Sequence, residues 1–76
     1  MKETIIGILE DHVDGVDFEN ETALIDNGIL ASLDIIQLIG ALSDEYDVSI
    51  PATEIIPENF NSVAALCAMV ERLLDE

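Results

Sequence analysis

His12 and Cys67 are the only histidine and cysteine in the chain, and Lys2 and Arg72 are its only basic residues. A nucleophile and base working together would need these scarce groups to converge. Cys67 falls on an apolar helical stripe and reads as core packing. His12 stands near the end of an expected helix and reads as a surface or capping residue. Two bases cannot form a cluster that grips phosphate or carboxylate. The residues therefore argue against an enzyme. They fit a protein that carries a reacting group to one. The hydroxyl that stands out is Ser32, in "LIDNGILASLDIIQLIGAL", residues 24–42. Gly28 precedes it and a strong helical pattern follows, so Ser32 lies at or near a helix N-terminus. Its simplest role there is to cap the helix by bonding a free backbone N–H.

Charge narrows the partners. Seventeen acids against two bases give a formal net charge of −15. That field repels nucleic acid and anionic membranes, attracts basic protein surfaces and divalent cations, and speeds encounter with basic partners. Acid also keeps a small protein soluble. A calcium loop is a poor match. The nearest EF-hand register starts at Glu10, with Gly15 sixth and Glu21 twelfth, but it lacks the leading Asp, puts His12 third and places Asp17 where an apolar residue belongs. No metal-ligating residues are assigned.

These groups need a scaffold, and 76 residues make one domain, 1–76, with a modest core. Ile5, Ile8, Leu9 and Val13 predict a first helix over about Glu3–Val13, which Gly15 ends. Asp14–Ala31 reads as a long acidic loop, unusual in so small a domain, pinned by Val16, Phe18, Leu24 and Ile25. The second helix spans about Ser32–Tyr46, with Ile35, Leu38, Ile39, Leu42 and Tyr46 as its core stripe. Leu33, Ile36 and Gly40 form a second row. It is either an exposed patch for a partner or the far side of a helix buried all round. "DVSIP" reads as an extended loop because no second strand exists to pair with it. Pro51 opens a short helix, Pro57 keeps Ile56 out of it, and "PENF" adds a single turn. The last helix starts after Asn61 as N-cap and runs to about Leu74, with Val63, Leu66, Cys67, Val70, Leu73 and Leu74 as its stripe. The fold class is all-α, a small four-helix bundle of three longer helices and one short one. One cysteine permits no intrachain disulfide, and no signal peptide or membrane span is seen, so a cytoplasmic monomer is the expectation.

The order "LIDNGILASL", "DEYDVSIP", "NSVAAL" resembles the acyl carrier protein family, including the D-alanyl carrier proteins and peptidyl carrier domains. "GILASL" is similar to the Gly-Leu-Leu-Asp-Ser segment of D-alanyl carriers. The likeness covers nearly the whole chain. It implies that Ser32 is the attachment point for 4′-phosphopantetheine, transferred from coenzyme A by a phosphopantetheinyl transferase. It further implies that acyl or aminoacyl groups ride on that arm as thioesters. A phosphodiester there would sit at a helix N-terminus, where backbone N–H groups favour negative charge. The resemblance assigns partner docking to Leu33, Asp34, Ile36, Gln37 and Asp44, and contact with the arm or cargo to Ile55. The implied partners are the transferase, a loading ligase for acyl or aminoacyl groups, and acyl-processing enzymes with basic docking patches. Fatty-acid, polyketide, D-alanyl and other aminoacyl cargoes stay open.

One position departs from the pattern. The family has Asp directly before the serine, where it helps engage the transferase and its metal ion. This chain has Ala31, with Asp26 and Asp34 as the nearby acids that could take over. Two alternatives therefore stand beside the carrier. One is an unmodified carrier-like adaptor that docks through its acidic second helix. The other is an acidic divalent-metal-binding module, which would be strongly stabilised by the ion.

Overall fold

The apolar spacings produce four helices in the computed structural model, which describes residues 1–75; only Glu76 of the expected single domain lies outside the described residues. These are α1 (Lys2–His12), α2 (Ser32–Tyr46), α3 (Pro57–Phe60) and α4 (Val63–Leu74), with a 3-10 turn at Ala52–Glu54. Helix α1 packs against both α2 and α4, and α3 packs against α4. Among the described residues there is no strand, and "DVSIP" is irregular chain.

The core draws on every segment. Ile5 and Leu9 come from α1, Leu38 and Leu42 from α2, Phe60 from α3, and Val63, Leu66, Met69 and Val70 from α4. Phe18, Leu24 and Leu30 of the long connection are buried with them, while Val16 and Ile25 pack half-buried at the edge. The connection is therefore a structured part of the domain. Backbone bonds from Glu21 to Asp17, Asn27 to Ala23 and Leu30 to Leu24 fold it into successive turns. Gly28 has φ +72°, a left-handed conformation that costs glycine nothing.

Element ends follow local chemistry. Val13 is extended and its N–H still bonds Leu9, so α1 stops one residue earlier than the hydrophobic spacing suggested. Helix α2 has the predicted bounds and stops where Asp47 turns left-handed at φ 53°. Pro51 stands just before the 3-10 turn, one residue outside the helix it was expected to open. Pro57 holds Ile56 extended and takes the first position of α3.

The cap of α4 is corrected. Ser62, not Asn61, is its N-cap, with Oγ accepting from the Ala65 N–H at 3.1 Å. Asn61 turns away because its amide is used elsewhere, on the turn ahead of α2. Met69 is also fully buried although it was not in the predicted stripe.

Candidate functional site

Ser32 is the first residue of α2 and is exposed. Ala31 is the N-cap, and its side chain has no oxygen to offer the free N–H groups of the first turn. Asp34 stabilises this start from the other direction, its Oδ2 accepting the Ala31 N–H at 3.0 Å. Ser32 is thus not the cap, and among the described residues its hydroxyl has no side-chain hydrogen bond. The result is a solvent-facing hydroxyl beside uncapped backbone donors.

Helix α2 carries two apolar stripes. Ile35, Leu38, Ile39, Leu42 and Tyr46 lean on the core. Leu33, Ile36, Gln37, Gly40 and Asp44 are two positions out of phase, roughly 200° round the helix at 100° per residue, and all five are exposed. Leu33 and Ile36 each keep 65% of their surface in water. Of the two readings of the second row, the structure gives the exposed patch. Asp34 is half-buried at its edge.

The patch has no positive charge of its own. Lys2 Nζ pairs with Glu19 Oε1 at 3.0 Å, and Arg72 pairs with Glu54 Oε1 at 2.9 Å. Both cations thus serve contacts away from α2, which contributes only acids. Arg72 holds the Glu54 carboxyl below its ordinary range, and Asn59 assists by donating to Glu54 Oε1 at 3.1 Å.

Ile55 is 39% exposed and lies on the rim of an apolar cleft of about 80 Å³, lined by Ile25, Ile35, Ile55, Ile56, Pro57 and Phe60. Ile35 is one turn beyond Ser32, so the cleft opens beside the same end of α2. The family resemblance singled out Ile55, and sequence reasoning missed the cleft. Its walls come from three separated segments, and only the adjacent apolar pair Ile55–Ile56 ahead of a proline hinted at it.

The remaining reactive groups stand apart. Cys67 is half-buried on α4, and burial pushes its thiol pKa up, away from the nucleophilic form. His12 Nδ1 lies 2.9 Å from the Ile8 carbonyl at the end of α1. Among the described residues no three His, Cys, Asp or Glu side chains are grouped to hold a metal ion, and no helix is long and apolar enough to cross a membrane.

The phosphopantetheine attachment site family matches residues 3–70, which include the whole of α2 and its exposed serine. The chain belongs to this family. Its members carry a covalent 4′-phosphopantetheine, and the family's role is to carry rather than to catalyse. Aminoacyl carrier protein 1 of Bradyrhizobium diazoefficiens is 42% identical over 64 residues, covering 84% of this chain and 70% of the relative. The D-alanyl carrier protein of Lactococcus lactis subsp. cremoris is 35% identical over 79 residues, covering 100% of this chain and 99% of the relative. No solved structure matches significantly. The geometry fits the phosphopantetheine group. Ser32 has an unbonded hydroxyl, the N–H groups at the same helix start have no side-chain cap and suit a negative charge, and an apolar cleft opens alongside.

Proposed function

We propose that Ser32 bears the 4′-phosphopantetheine arm and that the chain delivers aminoacyl groups, as thioesters, to partner enzymes. The observation that carries this is the exposed, unbonded Ser32 hydroxyl at the uncapped start of α2. In the loading step, Ser32 Oγ attacks the phosphorus that bears the pantetheine chain in coenzyme A. A P–O bond to the nucleotide breaks, adenosine 3′,5′-bisphosphate leaves, and the hydroxyl proton goes to solvent or the transferase. When bound, the group supplies the terminal thiol that this chain's half-buried Cys67 does not. The residues around Ser32 orient the attachment point, and the α2 N–H groups favour the phosphodiester charge.

Aminoacyl cargo is supported by the relatives, one an aminoacyl carrier protein and one a D-alanyl carrier protein. The small cleft agrees. Its 80 Å³ is well under the roughly 150 Å³ of an engineered cavity that takes benzene, so it suits a short group better than a long chain. Docking falls to Leu33, Asp34, Ile36, Gln37 and Asp44, with Ile55 facing the arm or cargo. Basic patches on the transferase, a loading ligase and downstream enzymes meet this acidic face, with an on-rate that falls as salt rises. The reading includes a cytoplasmic, monomeric protein that is not itself an enzyme.

The test is an intact mass after incubation with coenzyme A, Mg²⁺ and a broad-specificity phosphopantetheinyl transferase, beside Ser32→Ala. One phosphopantetheine gained by the wild type and none by the variant is the expected result. No gain, with a working carrier as control, sinks the reading. Ala31 favours a second reading, the unmodified adaptor, because the acid that engages the transferase in the family pattern is missing. In that case Ser32→Ala leaves partner binding unchanged.

A further inference from the structure

Asn61 sits at the corner between α3 and α4, far in sequence from Ser32. Its side-chain Oδ1 accepts the Ile25 N–H at 2.9 Å and the Asp26 N–H at 3.1 Å. Its Nδ2 donates to Asp26 Oδ2 at 3.3 Å, and its backbone carbonyl accepts the Leu24 N–H at 2.8 Å. One residue thus ties down three consecutive residues of the turn that leads into α2. The turn then runs through Leu30, buried and bonded back to Leu24, directly to Ala31 and Ser32. Ile25, one of the three, is a wall of the apolar cleft, and Phe60, next to Asn61, is another. The same clamp therefore sets the approach to Ser32 and joins two walls of the cleft. Ser62 already caps α4 and α4 is anchored by its own core, so the amide of Asn61 has no other use there.

We infer that Asn61 is a positioning residue for Ser32: it fixes the 24–30 turn so that the hydroxyl is presented in one orientation to the enzymes that act on it. This rests on the assignment of Ser32 as the attachment point. Displacing a reacting atom by about 1 Å can cost on the order of a hundredfold in rate, so a loose turn is felt in catalysis before it is felt in folding. Docking is a separate matter, because Leu33 and Ile36 lie on α2 itself.

The experiment measures transferase kinetics with Mg²⁺ and coenzyme A on folded wild type, Asn61→Ala, Asn61→Asp, Asp26→Asn and the double variant Asn61→Asp with Asp26→Asn. Native-state hydrogen exchange runs in parallel on the same proteins. Asn61→Asp keeps the acceptor for both N–H groups but replaces the donor with an oxygen facing the Asp26 carboxylate. Asp26→Asn keeps an acceptor for Asn61 and is the reference for the double variant, because Asp26 is also one of the acids placed to engage the transferase. The double variant restores one amide against one carboxylate. The expected result is that Asn61→Ala and Asn61→Asp lower kcat about tenfold or more with KM nearly unchanged, and that the double variant recovers most of the loss. Exchange protection at Ile25 and Asp26 falls with kcat and returns with it, while α4 stays protected. A kcat within twofold of wild type in folded Asn61→Ala overturns the proposal, as does a double variant no better than Asn61→Asp. If the wild type itself accepts no phosphopantetheine, the attachment assignment fails. The clamp is then judged by exchange alone, and unchanged protection at Ile25 and Asp26 in Asn61→Ala overturns it.

Discussion

Helices α2 and α4 begin in opposite ways. Helix α4 is closed by Ser62, whose hydroxyl bonds Ala65, and it buries Val63, Leu66, Met69 and Val70. Helix α2 is preceded by an alanine that caps nothing with its side chain, and of its fifteen residues only Leu38 and Leu42 are buried. The serine that caps stands one place before its helix; the serine that is free stands one place inside. That shift separates a residue that holds the fold from one available for chemistry. The largest share of the buried core comes from α4, while α2 adds only its inner stripe and leaves its outer stripe exposed.

The sharpest way to break this contrast is to truncate both helices and compare. Leu66→Ala, fully buried, is expected to cost about 2–5 kcal/mol in denaturant titrations. Ile36→Ala, mostly in water, should stay within about 0.5 kcal/mol. Similar losses for the two would mean that α2 is not a free face. The functional counterpart reverses the order. Ile36→Asp should raise KM for the transferase reaction by about tenfold, at roughly 1.4 kcal/mol per decade, with kcat little changed, whereas Leu66→Ala leaves KM alone wherever it stays folded. The two helix starts can be exchanged next. Ser62→Ala should lose about 1 kcal/mol of stability. Ala31→Asp should gain at most a similar amount, offset by the nearby Asp34 carboxylate, and should speed loading at subsaturating transferase. Equal loading rates would remove Ala31 as a handicap.

The smallest effect concerns the Arg72–Glu54 pair. Its carboxyl is held below the ordinary value of 4.5 in the folded state, so the folded form binds this proton less readily than the unfolded form. The pair's stabilisation is complete above that ordinary value and fades as pH falls through the lower folded one. The stability gap between wild type and Glu54→Gln should therefore shrink below about pH 4.5. A gap that holds constant down to pH 3 would mean the pair adds nothing.

Much of this was legible in the sequence. The bounds of α2 followed from a clean period-3.6 stripe and from Gly28, and the buried Phe18 and Leu24 were readable as pins for the long loop. The exposure of Leu33 and Ile36 was not decided by pattern, since two apolar rows on one helix fit either a patch or a fully buried element. Packing decided it, because α1 and the buried core lie against one side of α2 and leave the row of Leu33 and Ile36 exposed. The cap of α4 was misread for a related reason. Asn and Ser are both good caps, and the choice between Asn61 and Ser62 depended on a turn 35 positions away that claims the asparagine. The cleft was hidden likewise, being assembled from residues 25, 35 and 55–60. Local periodicity carries helices; contacts distant in sequence decide which competing polar group serves which end.

The two ion pairs have a practical consequence. Trypsin cuts after lysine and arginine, and this chain offers it only Lys2 and Arg72. Lys2 is engaged by Glu19 at the start of α1, and Arg72 by Glu54 in the last turn of α4. Cleavage at Arg72 requires that turn to fray, so the rate of nicking reads out the grip of α4 on the Ala52–Glu54 turn. Complete digestion leaves residues 3–72 as a single fragment. Ser32, Asp26 and Asn61 then travel together, and one mass reports any group attached to Ser32 along with any substitution at the two residues proposed to orient it.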